Sequence, residues 1–301
     1  SVLMPFGGKN QSTPTQAMAA KLPVLPGETT DQASLFAWGC DPDLLSADPY
    51  VGAQASIISS VAKIVAAGAD YKKVYLTLQE FFEKLKNEPA RWGKPFQALL
   101  GALQAQLGLN AAAIGGKDSM SGTFLDKDVP PTLISFAIAP IDAGDVLTPE
   151  FKEAGRNVYI LKPEYDENGL PDFESVRRCF DKVESLIESD RAKAVWTLSV
   201  GGISEGITKM CFGNKFGFKF TKKLSKEQLF EPCYGSFLVE INGSTKGNET
   251  VIGEITPQTD EFIIDNIFNF FISFFYHQFF YQCWRFIRPF KTTKHILKMP
   301  Y

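Results

Sequence analysis

Three glycine-led segments have the residue types and spacing to handle an anion. GGKDSMSG (115–122) follows the short apolar run NAAAI (110–114). A strand that ends in Gly-Gly-Lys leaves backbone N–H groups free to converge on a phosphate, with an ammonium beside them. Gly115, Gly116 and Ser119 would donate N–H or O–H groups, and Lys117 would balance the charge. Asp118 would ligate a metal or cap the turn. The GxxxxGK[ST] spacing of a Walker A loop is missing. The plainer alternative is a strand-to-turn transition with an exposed lysine and a capping aspartate. Gly201 and Gly202 follow the strand-like KAVWTLS (193–199) and open a helix whose N-terminus could face a phosphate. Close helix–strand packing is the alternative there. Gly7-Gly8-Lys9 precedes the polar run NQSTPTQ and reads as a flexible approach to the same site.

What is missing narrows the chemistry. Both histidines, His277 and His295, lie in the last 40 residues. Residues 1–261 therefore cannot run a Ser-His-Asp triad, a His-ligated zinc site or His acid/base catalysis. The carboxylates are scattered, with no acid pair for hydrolytic chemistry. The five cysteines are odd in number and none is closely spaced, so reduced thiols are expected rather than disulfides or a CxxC metal site. The net charge of −3 divides into +4 for residues 262–301 and −7 for the body, which argues against a nucleic-acid binder. SVLMPFGGKN shows no secretory leader, so a cytoplasmic protein is expected.

The elements that must position these residues alternate between helix and strand, so the fold class is α/β or α+β in two layered halves. SADPYVGAQASIISSVAKIVAAGA (46–69) predicts a helix with Asp48 as N-cap, Pro49 at its first position, an Ile57/Val61/Ile64/Val65 stripe and Gly68 as its stop. YKKVYLTL (71–78) predicts a strand, EFFEKLKNE (80–88) a helix, and Lys94 to Leu107 another. LPVLPGE (22–28) has room for one short strand, and TLISFAIA (132–139) reads as a strand buried on both faces. A boundary is expected near 140–156. Beyond it, RNVYIL (156–161) predicts a strand and PDFESVRRCFDKVESLIES (171–189) an amphipathic helix. GFKF, SFLVEI and TVIGEI, starting at 217, 236 and 250, predict a β-rich end.

GALQAQLGLNAAAIGGKDSMSGTF (101–124), VPPTLISFAIAPID (129–142) and ADPYVGAQASIISSVAKIVAAGAD (47–70) resemble the phosphoribosylformylglycinamidine synthase family, as does the Gly201-Gly202 helix entry. The resemblance spans roughly residues 1–261. It implies the second of two tandem aminoimidazole ribonucleotide synthetase-like halves, with mixed sheets flanked by helices. The expected division is 1–145 and 146–261 as N- and C-terminal pieces, with 262–301 an atypical tail. The family is a C–N ligase of purine biosynthesis in which ATP activates an amide oxygen and glutamine-derived ammonia displaces it. This half alone is implied to be inactive, binding phosphate and completing the cleft with the first half and the glutaminase domain. ATP or ADP is the implied ligand. The resemblance places the family's magnesium ligands on Lys21, Ser59, Lys63 and Val200, none of which is a carboxylate. Magnesium is therefore disfavoured, and Lys21 and Lys63 are expected to neutralise phosphate directly.

The tail departs from the family after about Phe262, holding 13 aromatics in positions 262–290. With position 1 not a methionine, this suggests a truncated or frame-shifted product. Two rival readings stay open. One is another ATP-using synthetase or small-molecule kinase of the same superfamily, which would need acidic metal ligands beside the glycines. The other is a binding protein anchored to a membrane by the tail, against which Asn266, Gln278 and Arg285 interrupt the apolar run.

Overall fold

The computed structural model describes residues 6–221, 223–243 and 250–257. The tail and both histidines lie outside the described residues, with every expectation placed on them.

The first half contains β1 (Met18–Lys21), β2 (Gln32–Gly39), α1 (Pro42–Ala47), α2 (Pro49–Ala66) and β3 (Tyr75–Phe81). It continues with α3 (Pro89–Leu109), β4 (Ala112–Lys117), the hairpin β5 (Thr123–Phe124) and β6 (Lys127–Asp128), and β7 (Thr132–Asp142). Its sheet has the order β1-β2-β7-β3-β4, with β4 parallel to β3 and the other pairs antiparallel.

Helix α2 begins where the sequence predicts. The Asp48 carboxylate accepts the N–H groups of Tyr50 (2.9 Å) and Val51 (3.1 Å), and Pro49 needs no partner at the first position. Gly68, at φ +104°, turns the chain away at the far end. The predicted stripe is buried, and so are Ala53, Ile58 and Ala62. The helix is enclosed because the sheet, α3 and the second half all pack on it. Each fully buried Ile or Val contributes about 1.5–3 kcal/mol.

Three local expectations are corrected. EFFEKLKNE is not helical: Glu80 and Phe81 end β3, and the next helix starts only at Pro89. Phe82 N–H donates to Ser119 O (2.8 Å) and Ser119 N–H to Glu80 O (3.1 Å), so the segment extends the sheet ladder instead of coiling. LPVLPGE holds no strand. The strand precedes it at Met18–Lys21, because Pro23 and Pro26 cannot donate to a ladder. β7 is not buried on both faces. Leu133, Ser135, Ala137, Ala139 and Ile141 point inward, while Ile134, Phe136 and Ile138 line an uncovered outer face.

The second half contains β8 (Asn157–Leu161), α4 (Phe173–Glu188), β9 (Ala192–Thr197) and α5 (Gly202–Phe212). Then come β10 (Gly217–Phe220), α6 (Lys226–Phe230), β11 (Phe237–Ile241) and β12 (Thr250–Thr256). Its sheet has the antiparallel order β10-β12-β8-β11-β9. Val176, Phe180, Val183 and Leu186 of α4 are buried, as their spacing predicts, and join the core that includes α2. α5 covers the opposite face over a separate core containing Val158, Trp196, Ile207, Met210 and Phe218.

Polar contacts tie the halves together. Tyr71 N–H donates to Glu184 Oε1 (2.8 Å), and Lys72 pairs with Asp181 (2.6 Å). The N-terminal arm crosses to the second half. The Gln16 side-chain amide donates to Thr197 O and accepts Thr197 N–H, both at 2.8 Å, and Thr13 Oγ1 donates to Lys209 O (2.6 Å). Cys40, Cys179, Cys211 and Cys233 are free thiols. Among the described residues, no helix is long and apolar enough to cross a membrane.

Candidate functional site

The GGKDSMSG segment does not leave its strand at the glycines. Gly115, Gly116 and Lys117 still pair with Thr77, Leu78 and Gln79, on the edge strand of the first sheet. The Ser119 N–H is engaged by Glu80, its hydroxyl lies 2.8 Å from that of Ser121, and Lys117 Nζ donates to Asp118 O (2.8 Å). Gly115 through Asp118 are exposed. Any anion met here would therefore sit on an open sheet edge, not in a loop of free N–H groups.

The sequence-predicted lysines do not gather at this motif. Lys21 is on the other edge strand, ion-paired with Asp31 (2.8 Å) and exposed. Four inter-strand steps separate the edges, about 19 Å. A phosphate contact through Lys63 at this motif requires its ammonium to point toward GGKDSMSG, the alternative being a side chain that snorkels to solvent. Instead its Nζ donates to Trp38 O (2.6 Å) and lies 4.4 Å from the Trp38 ring centroid, on β2, with β7 and β3 between it and β4. The indole face attracts the cation there.

Lys63 instead lines a cavity of about 200 Å³ between the halves, with Gln16, Leu147 and Val195. Burial pulls its pKa down to about 8, with Glu205 opposing the fall and Lys209 reinforcing it. Glu205 Oε2 accepts the Gly201 N–H (3.1 Å), and its other oxygen accepts Lys209 Nζ. Lys209 lies 5.6 Å from the Trp196 ring centroid. A Cβ on Gly201 would stand 2.5 Å from Glu205 Cβ, so the glycine admits this side chain. Glu205, Lys209 and Lys63 therefore act on one another's charge, and the Glu205 carboxylate already occupies the anion position at the α5 N-terminus.

The donor set at the four implied metal positions does not fit magnesium. Lys21 and Lys63 present ammonium groups, Ser59 a buried hydroxyl and Val200 an isopropyl group. Magnesium needs carboxylate or phosphate oxygens.

Sequence reasoning missed Glu205, Lys209 and the two tryptophans. Glu205 and Lys209 carry the i,i+4 signature of a helical ion pair, so that pairing was visible. Its position over Gly201 was not. Glu80 was missed as well. It is 1% exposed, neither carboxylate oxygen has a hydrogen-bond partner, and burial followed by the Asp118 charge raises its pKa to about 7.

The two sheets flanked by helices define the aminoimidazole ribonucleotide synthetase-like fold. Thiamine monophosphate kinase from Aquifex aeolicus matches with a TM-score of 0.57 at 12% identity, covering 83% of this chain and 91% of the kinase. Thermotoga maritima PurL complexed with FGAR matches with a TM-score of 0.61 at 17% identity, over 81% of this chain and 36% of that one. The same PurL complexed with ADP gives 0.58, at 17% identity, over 81% of this chain and 37% of that one. In sequence, the chain is similar to the phosphoribosylformylglycinamidine synthase subunit PurL of Thermoplasma volcanium, 23% identical over 263 residues. That match covers 80% of this chain and 34% of the relative, so the chain spans about a third of the length of the curated relative. No family profile matches the chain. The chain is thus similar in sequence to PurL, and it shares its fold with both PurL and the kinase.

Proposed function

We propose that this chain is the second synthetase-like half of a phosphoribosylformylglycinamidine synthase, and that its role is to complete the cleft rather than turn substrate over. The observation that carries this is the outer face of the first sheet. Trp38, Tyr75, Ile114 and Ile138 are 53%, 52%, 66% and 39% exposed, and Phe36 stacks on Phe136 beside them at 5.5 Å. A sheet face this apolar is built to be covered. A second exposed apolar stripe, with no covering element among the described residues, runs along α3 through Trp92, Phe96, Leu99, Leu103 and Leu107. Two such surfaces suit a chain that meets both a first half and a glutaminase domain. The same reading divides the chain near residue 145, places it in the cytoplasm and assigns it ATP or ADP phosphate, held by lysine rather than magnesium. Lys63 and Lys209 are the cations for that phosphate, with the backbone at Gly201 and Gly202. Lys21, Gly115, Gly116, Lys117, Asp118 and Ser119 serve the neighbouring sheet edges.

The test is reconstitution. The purified chain alone should give no amidine from formylglycinamide ribonucleotide, ATP and ammonia. Co-expressed with a first half and glutaminase, it should restore turnover. Trp38→Glu with Tyr75→Glu should break the complex on gel filtration while the chain stays folded by circular dichroism. Turnover by the chain alone, or a complex indifferent to the double substitution, would overturn the reading.

A further inference from the structure

Beside the GGKDSMSG segment stands a pair of acids that phosphate contacts do not explain. Glu80 lies in β3, and Asp118 directly follows β4. Gln79 pairs with Lys117 in the parallel ladder, and the Ser119 N–H donates to Glu80 O (3.1 Å), so Glu80 and Asp118 are neighbours across the two strands. Adjacent strands run about 4.8 Å apart, and side chains alternate between the faces of a sheet. Glu80 and Asp118 therefore leave by one face, opposite to Gln79 and Lys117. It is the covered face, since Leu76 and Glu80 are buried on it while Tyr75 and Phe81 are exposed on the other.

Glu80 has one polar neighbour to turn to. Its partner on the other side, in β7, is the fully buried Leu133. Both of its carboxylate oxygens are buried and neither takes a hydrogen bond. Buried polar atoms are paired as a rule, and an unpaired one marks the place of a water or an ion. Among the described residues, the charge that acts on Glu80 is that of Asp118, so its carboxyl group stands toward that neighbour. The Asp118 carboxylate has no hydrogen bond or ion pair among the described residues, and the residue is exposed. Lys117 leaves by the opposite face, and its ammonium donates to the main-chain Asp118 O (2.8 Å). Both strands lie well inside the continuous described stretch 6–221.

Two carboxylates on neighbouring strands offer a hard cation oxygen ligands from either side. The edge position of β4 supplies the way in, with Asp118 open to solvent and Glu80 behind it. Among the described residues no three His, Cys, Asp or Glu side chains gather as ligands. A cation here keeps much of its water, which is how Mg²⁺ is usually held, through one or two carboxylates.

We propose that Glu80 and Asp118 bind a divalent cation of the Mg²⁺ or Mn²⁺ type at the end of the β3–β4 pair, apart from the phosphate assigned to Lys63 and Lys209. The probe is Mn²⁺, titrated into the metal-free full chain at pH 8, above the value of about 7 to which burial raises Glu80. Its paramagnetism should broaden the amide NMR signals of Phe81, Phe82, Asp118 and Ser119 first, and diamagnetic Mg²⁺ should reverse the broadening by competition. In calorimetry, Glu80→Gln and Asp118→Asn should each weaken Mn²⁺ binding by about tenfold or more, the loss seen even for residues one step behind a metal ligand. Mapping on the unsubstituted protein keeps the test valid if a variant fails to fold. Broadening confined to other residues, or none at millimolar Mn²⁺, would overturn the site and leave Glu80 to a buried water. So would affinity unchanged in a folded Glu80→Gln/Asp118→Asn double variant.

Discussion

The Glu205 carboxylate accepts the backbone N–H of Gly201, four residues upstream, at 3.1 Å. This puts the chain's own anion at the mouth of α5, where the helix dipole favours negative charge. A phosphate entering the cleft must displace it. Glu205→Ala should therefore raise affinity for inorganic phosphate or ADP by about tenfold, even as it removes the Lys209 ion pair. Calorimetry on the two proteins measures this, and equal or weaker binding by the variant would show that the carboxylate does not compete.

Lys63 reads the charge of the same cleft. Burial holds its pKa near 8, and Glu205 keeps it from falling further. Glu205→Gln should move it lower, while bound phosphate should move it higher, both visible in a carbon-detected titration of the Lys63 side chain. Because the folded-state value lies below the usual 10.5, the folded protein binds fewer protons than the unfolded chain between about 8 and 10.5. Stability should thus rise with pH through that window, and Lys63→Met should remove this group's share of the rise. A Lys63 that titrates near 10.5 would place it in open solvent.

Asp48 supports two neighbouring helices. Its side chain caps α2 through Tyr50 and Val51, and its own N–H donates to Leu44 O to close α1. Asp48→Ala keeps the backbone contact and loses the cap, so a cost of about 1 kcal/mol is expected in urea denaturation. Asp48→Asn should recover most of it.

Asp48 also marks what the sequence could show. Its cap, the Pro49 start, the Gly68 stop and the α4 stripe are local signals, and each lies where the pattern puts it. EFFEKLKNE failed because its outcome depends on Ser119, 37 residues beyond Phe82, whose backbone groups complete the ladder. The candidate site divides in the same way. Gly201 and Gly202 do open a helix, as their position after an apolar strand suggests. The company they keep was invisible, because Trp38 and Lys63 arrive from the other half. The outward face of β7 was misread for a related reason. Its apolar residues have no covering element among the described residues, and a single sequence cannot separate such a face from a buried strand.

The last prediction concerns Glu80, whose main-chain carbonyl accepts Ser119 N–H while its carboxyl group is buried without a hydrogen-bond partner. Burial, then the nearby Asp118 charge, raises its pKa from 4.5 to about 7. The folded protein therefore holds a proton there that the unfolded chain releases at about pH 4.5. The group costs nothing below that value. Its cost grows as pH rises through the window, and is complete above about 7. A rise of that size corresponds to about 3 kcal/mol, an upper figure because the chain relaxes around an ionised group. Glu184 has the same direction of shift, also to about 7, so the unsubstituted protein alone cannot isolate the effect. Comparison with Glu80→Gln can, because Glu184 is common to both. The two proteins should be nearly equal in stability at pH 4.5. The variant should be the more stable at pH 8, by about 2–3 kcal/mol in urea unfolding. The same ionisation should loosen the hold on Ser119, so its amide should exchange faster at pH 8 than at pH 5 in the unsubstituted protein, beyond the intrinsic rate change, and not in the variant. A stability difference that stays flat from pH 4.5 to 8 would mean that Glu80 titrates in the ordinary carboxylate range, reached by water or paired, and that the GGKDSMSG segment is not held over a proton-dependent contact.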